Sequence, residues 1–74
     1  MISEELRRAV IVDVDVAIDD VMHERPFKDR RDASKHLLSQ GFDGWNAGEF
    51  QREAYVSAVA KRLRFLIRHT TNTT

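Results

Sequence analysis

Cysteine is absent from this chain of 74 residues, which also contains only three glycines and one proline. Without cysteine no disulfide can form, and His23, His36 and His69 lie too far apart in the sequence to indicate a closed zinc site. So few glycines and prolines, together with 32% charged residues, favour helices over a turn-rich β fold or a disordered chain. We therefore expect an all-α domain that binds no metal and no cofactor.

Long apolar runs are missing too. The longest, Ala9 to Val12, is far shorter than the roughly 20 residues that a membrane-spanning helix needs. Charged residues between Ser3 and Arg8 interrupt the kind of apolar segment that a signal peptide requires. We expect a cytoplasmic protein that does not insert into a membrane.

The small size of the chain limits its core. Seventy-four residues form a single domain that buries only about 60 to 65% of its unfolded surface, so a lone monomer is marginally stable. Since neither a disulfide nor a structural metal is available, oligomerisation is the usual remaining source of stability. The sequence therefore favours an assembly over a monomer.

The stretch AVIVDVDVAIDD, residues 9–20, fits either a strand or a helix. Apolar residues at every second position from Val10 to Ile18 are typical of a strand. Within it, VIVDVDV resembles the first motif of haloacid dehalogenase-like phosphotransferases, and this resemblance implies Asp13 as nucleophile and Asp15 as general acid. That family needs a doubly wound sheet and later lysine and acidic motifs, for which 74 residues without a glycine before position 41 leave no room.

A helical interpretation accounts for more of this segment. At about 100° per residue, one face collects apolar side chains and the opposite face collects the aspartates. Ser3 is a favourable N-cap, and Pro26 ends the helix because the residue before a proline avoids helical geometry. We predict a first helix over residues 3–24 with Asp13, Asp15, Asp19 and Asp20 all turned to solvent.

Two further helices follow from local start and stop signals. Asp29 caps a second helix over residues 30–40, and Gly41 fits the left-handed position after it. Asn46 with Glu49 three residues later starts a third helix over residues 47–68, with Trp45 stapled against Phe50. The domain then comprises residues 1–68, followed by a flexible polar tail, residues 69–74. The predicted core face of the third helix holds Tyr55, Val56, Val59, Ala60, Leu63, Leu66 and Ile67.

Both long helices carry a second apolar patch away from the core face. The middle helix is about 16 Å long and cannot cover two helices of about 32 Å. A second copy can, so we expect a two-fold helical-bundle dimer. Its predicted interface consists of Val12 and Val16 on the first helix and Ala54, Ala58 and Phe65 on the third.

Catalytic motifs are not found. The sequence has no serine or cysteine nucleophile beside a base and no cofactor motif, so we expect a protein that is not an enzyme. We expect instead an interaction module, a homodimer that regulates or inhibits a protein partner. Aromatic and arginine side chains often anchor such surfaces. The candidate partner-binding residues are Trp45, Arg52 and Tyr55, with Asp15 and Asp19 on the acidic helix face.

Acidic and basic residues balance to a net charge of zero but are unevenly distributed. Residues 1–24 carry seven acidic and two basic residues, whereas residues 54–74 carry four basic residues and no acidic one. Either the packed helices neutralise one another, or the protein exposes separate charged surfaces.

Nucleic-acid binding is the alternative function that this basic clustering suggests. Against it, Glu49 and Glu53 at the start of the third helix would repel phosphates, and a net charge of zero gives no overall attraction. The residues that would bind nucleic acid are Arg30, Arg31, Lys35, Lys61, Arg62, Arg64 and Arg68.

Overall fold

The computed structural model describes residues 3–42 and 47–69. The chain forms α1 (Glu4–Glu24), α2 (Arg30–Gln40), a short 3₁₀ turn (Ala47–Glu49) and α3 (Arg52–His69). No strand occurs within the described residues, so the all-α prediction is confirmed and the strand alternative for residues 9–20 is wrong. The longest dimension of the domain, 33 Å, corresponds to the length of α1.

The first helix begins and ends as its sequence predicts. The Leu6 amide donates to the Ser3 hydroxyl at 3.1 Å, and Glu4 and Glu5 in the first turn favour the positive end of the helix dipole. At the other end the Arg25 amide still donates to Val21, but Arg25 itself is extended, as a residue before proline prefers.

The second helix also has the predicted bounds. The Asp32 amide donates to the Asp29 carboxylate at 2.9 Å, which satisfies one of the free amides of the first turn. Gly41 ends the helix in the left-handed region with φ of 71°, and its amide donates to the Leu38 carbonyl. Phe42 then packs against the hydrophobic core.

The third helix begins five residues later than predicted, at Arg52. Residues 47–49 form a 3₁₀ turn in which the Phe50 amide donates to Ala47, and the chain leaves helical geometry before α3. Gly48 costs about 1 kcal/mol relative to alanine within a helix, which weakens a continuous helix here. The break lets Phe50 pack beside Tyr55, with ring centroids 6.4 Å apart. The predicted Asn46 cap and Trp45 staple lie outside the described residues.

One hydrophobic core joins the three helices. On α1 its members repeat every three or four residues, as the helical interpretation requires, and the short α2 adds a small contact surface. Phe27, in the loop between α1 and α2, packs against this core as well. The buried core residues are Leu6, Val10, Val14, Ala17, Ile18, Ala33, Leu37, Tyr55, Ala58, Val59 and Leu63.

The buried face of α3 differs from the predicted one. It is turned by about 60° around the helix axis, so that it is centred between Ala58 and Leu63. Ala58, predicted at the dimer interface, is therefore buried in the core of the single chain. Val56, predicted in the core, is exposed. Both predictions are wrong because several residues flanking the apolar stripe of α3 are alanine or valine, so its sequence leaves the exact edge of the stripe open.

Asp13, predicted to face solvent, is buried. Its side chain is only 5% exposed, and its carboxylate accepts a hydrogen bond from the hydroxyl of the fully buried Tyr55. On the helical projection Asp13 lies only about 20° from Leu6, at the margin of the core stripe. A partner across the core therefore decides whether it is buried, and Tyr55 provides that partner.

Candidate functional site

The outer face of α1 carries an apolar ridge with charged ends. Val12 and Val16 are 59% and 46% exposed, one helical turn apart. Arg8 and Asp20, both exposed, continue the same four-residue spacing on either side. We refer to Arg8, Val12, Val16 and Asp20 as the α1 ridge. Neither valine belongs to the hydrophobic core or packs against it, so this face is a candidate interface.

A groove runs between α1 and α3 on another side of the domain. Its volume is about 340 Å³, and Val10, Ala58 and Ile11 give it an apolar floor. Phe65, 49% exposed, forms one wall. We call this the α1–α3 groove, and its full lining is Arg7, Val10, Ile11, Ala58, Lys61, Arg62 and Phe65.

Three of the residues lining the α1–α3 groove are cations, and none is acidic. Arg62 is partly buried, and its guanidinium lies over the Phe65 ring at 5.5 Å from the centroid. Its buried Nε finds no hydrogen-bond acceptor among residues 3–42 and 47–69. A buried donor without an acceptor is unusual. Because its lining has three cations and no carboxylate, this groove is chemically suited to an acidic ligand.

A more basic surface lies between α2 and α3. Arg31 Nε donates to the Ile67 carbonyl at 3.0 Å and so joins the start of α2 to the end of α3. Arg64 and Arg68 line a groove with Arg31 and Leu38, and a neighbouring hollow adds Lys61. The structure thus brings together four residues predicted for nucleic-acid binding, Arg31, Lys61, Arg64 and Arg68.

The other predicted nucleic-acid residues lie apart from this surface. Arg62 turns to the α1–α3 groove, and Lys35 is exposed on α2. Arg30 donates to Asp19 at 2.6 Å and to Asp15 at 3.3 Å. Because Arg30 holds both carboxylates, part of the acidic face of α1 is neutralised within the chain. Asp15 and Asp19 are therefore less suited to binding a partner than an unpaired acidic face would be.

Of the predicted partner anchors, Arg52 and Tyr55 do not share a surface. Tyr55 is fully buried against Asp13, so its side chain cannot contact a partner, and that prediction is wrong. Arg52 is the first residue of α3 and is exposed. Ala54, predicted at the dimer interface, lies in the same helical turn and is also exposed. Trp45 lies outside the described residues.

Two features, one on the surface and one in the core, were missed by sequence reasoning. The cationic lining of the α1–α3 groove depends on Arg7 and Lys61, which come from different helices and share no sequence motif. The sequence contains a weak indication of the Asp13–Tyr55 pair, since both residues lie within or beside the apolar stripes of their helices. A polar residue at the margin of such a stripe, with a tyrosine in the facing one, would have indicated it.

Among the described residues no group of three histidine, aspartate or glutamate side chains is placed to hold a metal ion. No helix in the described part of the chain combines the length and the apolar character needed to cross a membrane. No protein-family model, curated protein or solved structure matches the chain.

Proposed function

We propose that the chain is a non-enzymatic protein-interaction module of the cytoplasm, a two-fold dimer that regulates or inhibits a protein partner. The observation that carries this proposal is the exposure of Val12 and Val16 on a helix whose opposite face already fills a complete core. Covering them with a second copy would add buried apolar surface to a domain that is small for its class.

The charges of the α1 ridge support an antiparallel pairing of two α1 helices. In that arrangement Val12 packs against Val16 of the partner subunit, and Arg8 lies opposite Asp20 of the partner subunit. Within one chain Arg8 reaches only Glu4, at 3.6 Å, and both side chains of that pair are largely exposed. Such an exposed pair contributes little, so Arg8 can exchange it for the partner's Asp20 at low cost. Ridges of four-residue spacing also interdigitate in the commonest class of helix packing.

Sedimentation velocity over a range of concentrations tests self-association. We expect the wild type to sediment as a dimer and Val16→Glu as a monomer, because the substitution places a carboxylate at the centre of an apolar contact. Val56→Glu, the same substitution at an exposed valine on α3, should remain dimeric. Arg8→Asp and Asp20→Arg should each weaken the dimer and restore it when combined. A wild type that is monomeric at all concentrations would refute the dimer.

Nucleic-acid binding is retained as the second candidate function because Lys61 and Arg64 form no ion pair within the described residues. Both line the hollow that also contains Arg68. Retention on an immobilised DNA duplex at low salt, released steeply as salt rises and lost in Arg64→Glu, would favour it over the interaction module. Duplex retention that Arg64→Glu leaves unchanged would count against this surface.

A further inference from the structure

We propose that the α1–α3 groove is the docking site for an acidic amphipathic α-helix of the protein partner. The proposal rests on the interaction-module function and names the chemistry of the partner. It uses a surface different from the α1 ridge, through which we expect the chain to self-associate.

The dimensions of the domain favour a helical occupant. At about 1.5 Å per residue, α1 is about 32 Å long and α3 about 27 Å, whereas α2 reaches only about 16 Å. The two long helices therefore lack a fourth helix on the side that α2 does not fill. Val10, Ile11 and Ala58 form the floor that a partner helix would cover with its apolar stripe.

The charges around the groove specify an acidic partner. Arg7 and Lys61 are exposed and make no ion pair within residues 3–42 and 47–69, and Arg62 contributes the buried Nε that has no acceptor there. Glutamate or aspartate residues flanking the apolar stripe of a docked helix would meet these three cations. Lysine or arginine at the same positions would place like charges together, which the geometry disfavours.

A second copy of this chain does not fit the same groove as part of a closed dimer. On the projection of α1, the groove residues Arg7, Val10 and Ile11 are centred about 170° from the α1 ridge. Inserting the ridge of one copy into the groove of another would be a head-to-tail contact, which builds rings or open filaments and not a two-fold dimer. The ridge and the groove can thus be occupied at the same time, and a dimer would present two grooves.

Selection from a displayed library of helical peptides tests the inferred partner chemistry. Every peptide carries the same apolar stripe, and the flanking positions are drawn equally from glutamate, glutamine and lysine. We expect the wild type to enrich glutamate at these positions. The double variant Arg7→Glu, Lys61→Glu should bind the enriched peptides at least about tenfold more weakly, and should itself enrich lysine.

Two controls keep this test specific. The double variant Lys28→Glu, Lys35→Glu has the same charge change on exposed residues away from the groove, and it should bind the enriched peptides as the wild type does. Phe65→Ala, which leaves the charges intact, should also weaken binding by about tenfold or more, because it removes one wall of the groove. Circular dichroism of each variant establishes that it is folded before binding is measured.

Several results would overturn the proposal. They are enrichment of no peptide, enrichment without a preference for glutamate, unchanged binding by the Arg7→Glu, Lys61→Glu variant, or displacement of the peptides by a short DNA duplex. Dissociation of the dimer by the Arg7→Glu, Lys61→Glu variant would show that a second copy covers the groove. Conversely, if Val16→Glu is monomeric and still binds the enriched peptides, self-association and docking are separate. The two proposals can thus fail independently.

Discussion

Replacing Tyr55 with phenylalanine removes one oxygen atom from the centre of the core. The Tyr55 hydroxyl donates to the Asp13 carboxylate, and both side chains are buried. In Tyr55→Phe the carboxylate stays buried and loses this donor, while the ring keeps its packing. We expect a loss of roughly 1 to 3 kcal/mol of unfolding free energy, the usual cost of leaving a buried polar group with an unmade hydrogen bond.

That loss is large relative to the total stability of so small a domain. At roughly 0.05 to 0.15 kcal/mol per residue, a chain of 74 residues has an unfolding free energy of about 4 to 11 kcal/mol. A loss of about 2 kcal/mol lowers the melting temperature of a domain of this size by roughly 8 to 16 °C. Thermal and urea unfolding followed by far-ultraviolet circular dichroism would measure both quantities. The protein concentration must be the same throughout, because dimerisation makes the melting temperature depend on it.

A double-mutant cycle separates this hydrogen bond from the other contacts of the two residues. Asp13→Ala, Tyr55→Phe and the combination of both should show a coupling energy of about 1 to 3 kcal/mol, because each single substitution already removes the hydrogen bond between the two side chains. Glu24→Ala removes an exposed carboxylate from the same helix and should change stability by less than about 0.5 kcal/mol. A coupling energy near zero would refute the view that this pair links α1 to α3.

Two other substitutions test local features of the fold. Gly41→Ala should destabilise the domain by about 1 kcal/mol because Gly41 has φ of 71°. Gly48 has an ordinary φ and open space beside it, so Gly48→Ala should be neutral or stabilising. Equal effects of the two substitutions in urea unfolding would contradict this conformational explanation. Arg30→Ala should cost at most about 1 kcal/mol, since its ion pairs with Asp15 and Asp19 are half-exposed, and the cost should shrink in high salt. Lys28→Ala is the matched control, and a salt-independent loss at Arg30 would indicate packing and not charge.

The ends of α1 and α2 could be predicted because their determinants are local. The Ser3 cap, the Asp29 cap and the left-handed Gly41 each involve residues within three or four positions of one another. Such interactions form in the same way whatever the rest of the chain does. The start of α3 was harder, because it depends on how Phe50 packs against Tyr55 as well as on local capping.

The burial of Asp13 and the rotation of α3 could not be read from one helix at a time. On either helix the apolar stripe has margins about 20 to 60° wide within which a residue can face the core or the solvent. Contacts between helices decide those positions. The Tyr55 hydroxyl donates a hydrogen bond to Asp13 and so allows this carboxylate to be buried. The small side chain of Ala58 allows the face of α3 that carries it to pack against the core.

The exposure of Val12, Val16 and Phe65 could be predicted from the sequence, whereas the α1–α3 groove could not. An exposed face follows from the periodicity of a single helix. A groove requires the relative placement of two helices, and its cationic lining joins Arg7 to Lys61 across more than fifty residues of sequence. The sequence shows that α3 is rich in basic residues, but it does not show that Arg62 faces the α1–α3 groove while Arg64 and Arg68 face α2.

A net charge of zero conceals an unequal distribution that bears on both proposed partners. Arg30 neutralises part of the acidic face of α1, while Lys61 and Arg64 form no ion pair within the described residues. The unmatched positive charge attracts an acidic helix and a nucleic acid alike, but an amphipathic helix would also cover the apolar floor of the α1–α3 groove. Binding of an amphipathic helix should therefore keep an apolar contribution that salt does not screen, whereas binding to phosphates should fall steeply with salt concentration. The slope of affinity against salt distinguishes the two partners even before either is identified.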